Sequence, residues 1–188
     1  MSEDVTLTAL DRTAALDALD ELSTLYEEIY SEPPYNSAPK FSADRFLART
    51  REQIPTSGFA SVVARRGELL RGFTFGFTMA PGAWWANASA PPDDVLAADK
   101  FAVVELVVAV AERGQGLGRG LLDELLRGRS ERYATLPAVI GTDAYAMYVR
   151  WGWEKAAEFR AEPPFSDALV RPLVPKNDPG PPRDPAAG

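Results

Sequence analysis

The stretch with the most chemical content is Val108-Ala-Val-Ala-Glu-Arg113-Gly-Gln-Gly116-Leu-Gly118-Arg-Gly120, an apolar run that empties into four glycines within seven positions and then into the leucine-rich segment Leu121 to Leu126. Glycines at such a junction let the backbone turn sharply and approach a ligand, while free N–H groups and the positive end of a helix converge on one spot. That is an anion site, suited to a pyrophosphate. A P-loop would need Gly-Lys-Ser/Thr at the helix start, and this chain has Gly-Arg-Gly. The dinucleotide pattern G-x-G-x-x-G fails as well, because Arg119 and Leu121 stand where its third glycine belongs. What remains is Arg113-x-x-Gly116-x-Gly118.

A second candidate is Glu105, set inside the apolar run 101–110. A carboxylate there is costly to bury, and it serves either as a base or as half of an ion pair with an arginine on a neighbouring element. Other chemistry is excluded by composition. The 188 residues include no cysteine and no histidine. Disulfides, thiolate nucleophiles, Ser-His-Asp triads and zinc sites of nitrogen and sulfur ligands are therefore ruled out, and no metal is expected. Proton transfer falls to carboxylate, tyrosine, lysine, a terminus or water. Twenty basic against twenty-seven acidic side chains give a net charge of −7. That disfavours nucleic acid and anionic membranes as partners and favours a cationic small molecule. The acidic N-terminus has no secretory pattern and no apolar run nears the ~20 residues of a spanning helix, so a cytoplasmic protein is expected.

These groups need elements to hold them. Alternation over 5–10 predicts a strand, and an apolar stripe of Leu16, Leu19, Leu22, Tyr26 and Ile29 predicts one helix over about 13–30, ended by Pro33-Pro34. Ser42 is an N-cap residue, flanked by Phe41 and Phe46 in a hydrophobic staple, and Pro55 and Gly58 close the helix it starts. A hairpin follows over 59–65 and 69–78, with Phe73, Phe75 and Phe77 on its core face and a cleft expected on the other. The connection 79–100 carries Trp84 and Trp85. The run 101–110 is apolar on both faces, as a central strand is. A helix over 116–127, a short strand near 138–140, a helix over 143–151 and strands near 153–159 and 168–174 complete one domain over 1–174. The proline-rich segment 175–188 is expected to be disordered.

The glycine turn, its position between strand and helix, and the later segment Ala144-Tyr-Ala-Met147-Tyr148-Val-Arg150-Trp-Gly152-Trp153 resemble the two motifs of the GCN5-related N-acetyltransferase superfamily, Q/R-x-x-G-x-G/A and A-x-x-F-Y-x-K-x-G-F. The order of elements is similar too, over about 5–174. One departure is Gly141-Thr-Asp143, where many members have an asparagine. The resemblance implies an α/β fold with a mixed, mostly antiparallel sheet splayed at its centre and flanked by about four helices. It implies acetyl-CoA as cosubstrate, with pyrophosphate on the amides of Arg113, Gly114, Gln115, Gly116, Leu117 and Gly118, and pantetheine along Val107 and Val108. It also implies direct acetyl transfer to a primary amine, of a small molecule or a peptide, with Tyr148 protonating the departing thiolate, and a homodimer as a common assembly. A non-catalytic acyl-CoA-binding domain on the same fold is the rival reading. Glu105 stays open between base and ion pair. Tyr30 and Tyr35, among carboxylates, and Trp84 and Trp85, near Asp93 and Asp94, suit a cationic acceptor, the plainer reading of the tryptophans being loop packing.

Overall fold

The computed structural model describes residues 4–173. The expected tail 175–188 lies outside the described residues. One seven-stranded sheet runs through the chain: β1 (Val5–Leu10), β2 (Ala60–Arg66), β3 (Leu69–Met79), β4 (Lys100–Val108), β5 (Tyr133–Val139), β6 (Glu154–Phe159) and β7 (Ser166–Pro172). Their order is β1-β2-β3-β4-β5-β7-β6. Every neighbouring pair is antiparallel except β4 and β5, so the sheet is mixed and mostly antiparallel.

The one parallel pair makes the shape of the molecule. β4 and β5 share register only over Lys100–Ala102 and Tyr133–Thr135. Beyond that point they diverge, and β4 from Val103 to Val108 keeps β3 on one side and, among the described residues, has no strand on the other. Pro137 stands on β5 within the diverging part and pairs with Ala168 of β7. A proline has no N–H to give a second neighbour, and a strand that has lost one partner tolerates it. β4 also bulges where Phe75 faces Glu105 and the next residue, Gly76, faces Val103, which leaves Val104 unmatched. Such a bulge re-aims the side chains beside it. Gly76 is required there, since a Cβ would lie 2.1 Å from the Ala102 carbonyl oxygen.

Helices cover both faces: α1 (Arg12–Asp17), α2 (Leu19–Tyr30), α3 (Ala43–Gln53), α4 (Asp93–Ala97), α5 (Leu117–Leu126) and α6 (Asp143–Arg150). On one face Leu121, Leu122 and Leu125 of α5 and Tyr148 of α6 pack with Val62, Phe101, Leu136 and Trp153. On the other, Leu22, Tyr26 and Ile29 of α2 and Phe46 of α3 pack on Phe73, Phe75 and Val107. Each such large side chain contributes about 1.5–3 kcal/mol of burial. Ser42 caps α3 as its sequence predicts, accepting from the Arg45 amide.

Four expectations change, the first being the short strand near 138–140, which is the longer β5, Tyr133–Val139. The single helix over 13–30 is two helices meeting at Ala18, so that Ala15 is buried and Leu16 is 47% exposed. No proline or glycine marks that break. The connection 79–100 contains α4, whose last carbonyls (Val95, Leu96) and that of Ala98 receive the ammonium of fully buried Lys100. The second face of β3 is no cleft, because α5 lies on it with Leu121 against Gly72. Among the described residues no helix is long and apolar enough to cross a membrane.

Candidate active site

Where β4 and β5 part, a cavity of about 130 Å³ opens, with Glu105 of β4, Pro137 of β5, Tyr148 of α6 and the aromatic trio Tyr30, Tyr35 and Phe41 in its walls. The splay thus brings together residues that the sequence separates by more than a hundred positions.

From the cavity, β4 runs on to the glycine turn. After β4 the chain makes a short 3-10 turn, Val110–Glu112, whose Glu112 is buried and held by Arg66 at 2.8 Å and Arg71 at 3.7 Å. Gly114 and Gly116 then adopt positive φ, +74° and +82°, a region that side chains with a Cβ enter at a cost. Among the described residues a Cβ at either position would meet nothing within 4 Å, so the turn has open space on its outer side. Helix α5 begins at Leu117 with no side-chain cap and no acidic residue in its first turn. Its leading amides are left for an external acceptor. The side chains of the turn face elsewhere: Arg113 pairs with Glu32 at 2.8 Å, and the Gln115 amide donates to the Ala111 carbonyl. The unpartnered edge of β4 at Val107 and Val108 leads from this turn back to the cavity.

The cavity itself is built from side chains. Glu105 is 7% exposed and makes a 2.7 Å ion pair with Arg49 of α3 through one oxygen, while Tyr30 donates to the other at 3.0 Å. The ion pair of the two open readings is therefore present, and the same carboxylate lines the cavity. Burial pushes the Glu105 carboxyl above its ordinary value, and the charge and hydrogen bond of Arg49 pull it back only in part. Tyr30 stacks on Phe41 and lies edge-on to Tyr35, with centroids 4.6 and 4.7 Å apart. Lys40, one residue before Phe41, donates to the carbonyls of Glu162 and Pro164 and ties the loop after α2 to the loop between β6 and β7.

Tyr148 is buried and crosses Trp151 and Trp153 edge to face at 6.0 and 6.1 Å. Its hydroxyl has no hydrogen-bond partner among the described residues, and burial raises its pKa far above a free phenol's, with smaller contributions from Tyr35 and Glu105. It is thus a protonated group facing the cavity. Thr142 supplies the cap of α6, accepting from the Tyr145 amide, at the point where the sequence departs from the asparagine pattern.

Trp84 and Trp85 are elsewhere. Trp85 donates to the Thr135 hydroxyl and packs on Phe159, Trp84 donates to the Ser89 carbonyl and packs near Val95 and Tyr133, and both border a separate depression with Phe77 and Met79. They do not line the cleft. Conversely, Phe41 lines it, though its sequence context marks only a helix staple, and Arg49, which no motif contains, reaches it through its ion pair with Glu105. The signal for Arg49 was indirect: an acid buried in an apolar strand requires a cation from some other element.

No protein-family model matches the chain, and no curated protein matches it in sequence. Solved structures do resemble it. The ribosomal-protein-S18-alanine N-acetyltransferase of Escherichia coli is 16% identical, with 93% of this chain and 98% of that one covered and a TM-score of 0.62. NAA60 of Arabidopsis thaliana, solved with a bisubstrate analogue, is 14% identical, with 90% and 98% covered and a TM-score of 0.63. The PaiA N-acetyltransferase of Thermoplasma acidophilum, solved with coenzyme A, is 13% identical, with 90% and 99% covered and a TM-score of 0.55.

Proposed function

We propose that this chain, which has the fold of the GCN5-related N-acetyltransferases, moves the acetyl group of acetyl-CoA to a primary amine. The observation that supports the reading is the succession, along β4 where it parts from β5, of a buried carboxylate facing a buried phenol that is unbonded among the described residues, a strand edge without a partner strand there, and an uncapped glycine turn with open space outside it.

The turn fits the cosubstrate on its own chemistry. Uncapped helix amides and two glycines with open space outside them suit a pyrophosphate, and the bare edge of β4 suits the amides of a pantetheine arm, as an added strand pairs with a sheet edge. Acetyl-CoA supplies an acetyl thioester, which amines attack once they are neutral. The rest falls to the protein. Glu105 accepts a proton from the incoming ammonium, directly or through water. Tyr148, protonated and facing the cavity, gives a proton to the departing sulfur. Overall, an ammonium and the thioester become an amide, a free thiol and one released proton. With no cysteine to hold an acyl group, both substrates are present together and positioning supplies much of the rate.

The acceptor enters on the side of Tyr30, Tyr35 and Phe41, whose ring faces suit a cationic amine with some apolar body. The test is thiol release from acetyl-CoA over spermidine, an aminoglycoside and a peptide with a free α-amine, alongside calorimetric binding of acetyl-CoA. Turnover with at least one amine is expected. Tight binding without turnover on any amine would make the chain an acyl-CoA-binding domain instead.

A further inference from the structure

Beside the acceptor half of the cleft, outside the walls of the cavity itself, stands one residue that the motifs do not contain and that touches the central carboxylate. Arg49 projects from α3 with its guanidinium over the rings of Tyr26 and Phe46, at 5.4 and 5.5 Å, and donates both to the Tyr26 hydroxyl at 3.0 Å and to Glu105 at 2.7 Å. A planar cation held by two rings and two hydrogen bonds has little freedom to swing away. Its direction is set by α3 packing, not by Glu105 alone.

Around Glu105 every neighbouring element contributes a group. Tyr26 and Tyr30 come from α2, Tyr35 from the loop after it, Arg49 from α3, Thr74 of β3 through a hydrogen bond to the Glu105 carbonyl, and Tyr148 from α6. Of these only Arg49 carries a charge. A carboxylate at this depth without a cation takes up a proton and ceases to be a base.

We propose that Arg49 is the positioning residue of the acceptor step: it keeps Glu105 charged inside an apolar cleft and engages one carboxylate oxygen, so that the other, shared only with the Tyr30 hydroxyl, meets the amine. The proposal rests on the acetyltransferase reading for its kinetic consequence but not for its electrostatic one. Arg49 does not touch the reacting atoms; it acts through Glu105. The two walls of the cleft are then coupled to different elements, since α3 takes no part in the glycine turn.

The experiment compares full-length wild type with Arg49→Lys and Arg49→Met. The kcat/KM for the most active amine of the panel is measured against pH, and the carboxyl resonance of 13C-labelled Glu105, identified by its loss in Glu105→Gln, is titrated in the same proteins. Removing the positive charge raises the pH at which Glu105 ionises, so the acid limb of the Arg49→Met profile moves upward: a loss of roughly tenfold at the acid end closes as pH rises. Arg49→Lys retains the charge and falls between. Acetyl-CoA affinity stays within about twofold, as the turn is untouched. A loss equal at every pH together with an unmoved Glu105 titration makes Arg49 merely structural and overturns the proposal, and so does an unchanged profile. If wild type acetylates no amine, the functional reading fails, while the Glu105 titration still decides whether Arg49 holds that charge.

Discussion

Of the two walls of the cleft, the one ending in the glycine turn works through main chain, and the one facing it works through side chains. In the first, the side chains of Arg113 and Gln115 turn away and leave amides and a strand edge. In the second, Tyr30, Tyr35, Phe41 and Glu105, with Arg49 behind them, come from four separate segments and are linked by contacts. In the proposed function, main chain would recognise what every acyl-CoA shares, a pyrophosphate and a pantetheine arm. Side chains are where one acceptor is told from another. The first wall therefore tolerates almost any sequence that keeps its glycines, and the second depends on particular residues at long range.

The largest effect that separates the walls is expected from Gly116→Val. It places a branched side chain at φ +82° and in the open space where a phosphate would sit. Losing two charge-assisted bonds at about 1.5 kcal/mol each weakens acetyl-CoA binding about a hundredfold by calorimetry, while circular dichroism keeps the native spectrum. Unchanged affinity would remove the turn from the site. Next is Tyr148→Phe, which keeps the edge-to-face packing on Trp151 and Trp153 and deletes only the hydroxyl. Here kcat should fall about a hundredfold with acetyl-CoA affinity nearly intact, since the loss lies in proton transfer. Full turnover at saturating amine would reassign the acid.

The same division explains what the sequence made legible. The glycine turn is a local pattern, read from consecutive residues, and the paired motif at Tyr148 lies on one helix. The strand order, by contrast, depends on β4 and β5 pairing over three residues and then parting, which no local pattern encodes; the strand expected near 138–140 is β5, which begins at Tyr133 and carries Pro137 in its middle. Arg49 follows buried Phe46 by three positions and lies on the inward side of α3, but as one of three arginines within seven positions it carries no motif of its own. Trp84 and Trp85 had the right chemistry for an acceptor pocket, and the connection carrying them instead folds against Thr135 and Phe159.

A second buried carboxylate sharpens the contrast because it has a partner and no cleft. Glu131, 4% exposed, pairs with Arg129 and accepts from Thr78 at 2.6 Å. Burial pushes its carboxyl up, but the bonds from Arg129 and Thr78 outweigh burial and hold it below the ordinary range, the opposite of Glu105. A lowered value means that its stabilisation is present at neutral pH and is lost as pH falls through that value. Glu131→Gln should therefore cost about 2 kcal/mol of unfolding free energy at pH 7, less than a fully enclosed pair because Arg129 keeps some contact with water. The difference from wild type should shrink in acid, with kcat per folded molecule unchanged. A denaturation series at several pH values reads both, and an activity loss at intact stability would show that the two carboxylates are not separate in role.

The smallest effect concerns the one ion pair among the described residues that bridges the walls. Arg113 belongs to the glycine turn and Glu32 to the loop that continues into Tyr35, and their 2.8 Å contact is half exposed at both ends. Exposed pairs of this kind contribute little to stability, so breaking it should leave the melting temperature within a degree or so. Its consequence is competition: a guanidinium engaged by Glu32 is not available to a phosphate on the same turn. Glu32→Gln frees it, and acetyl-CoA affinity should rise a few-fold at low salt, with the gain gone at about 0.5 M salt, where charges more than a few ångströms apart are screened. The amine's KM should move less than the acetyl-CoA affinity, because Tyr35 keeps its contacts with Tyr30 and Phe41. If affinity instead falls, Glu32 is holding Arg113 in a binding pose, and the two walls are joined through side chains at the turn as well as through β4.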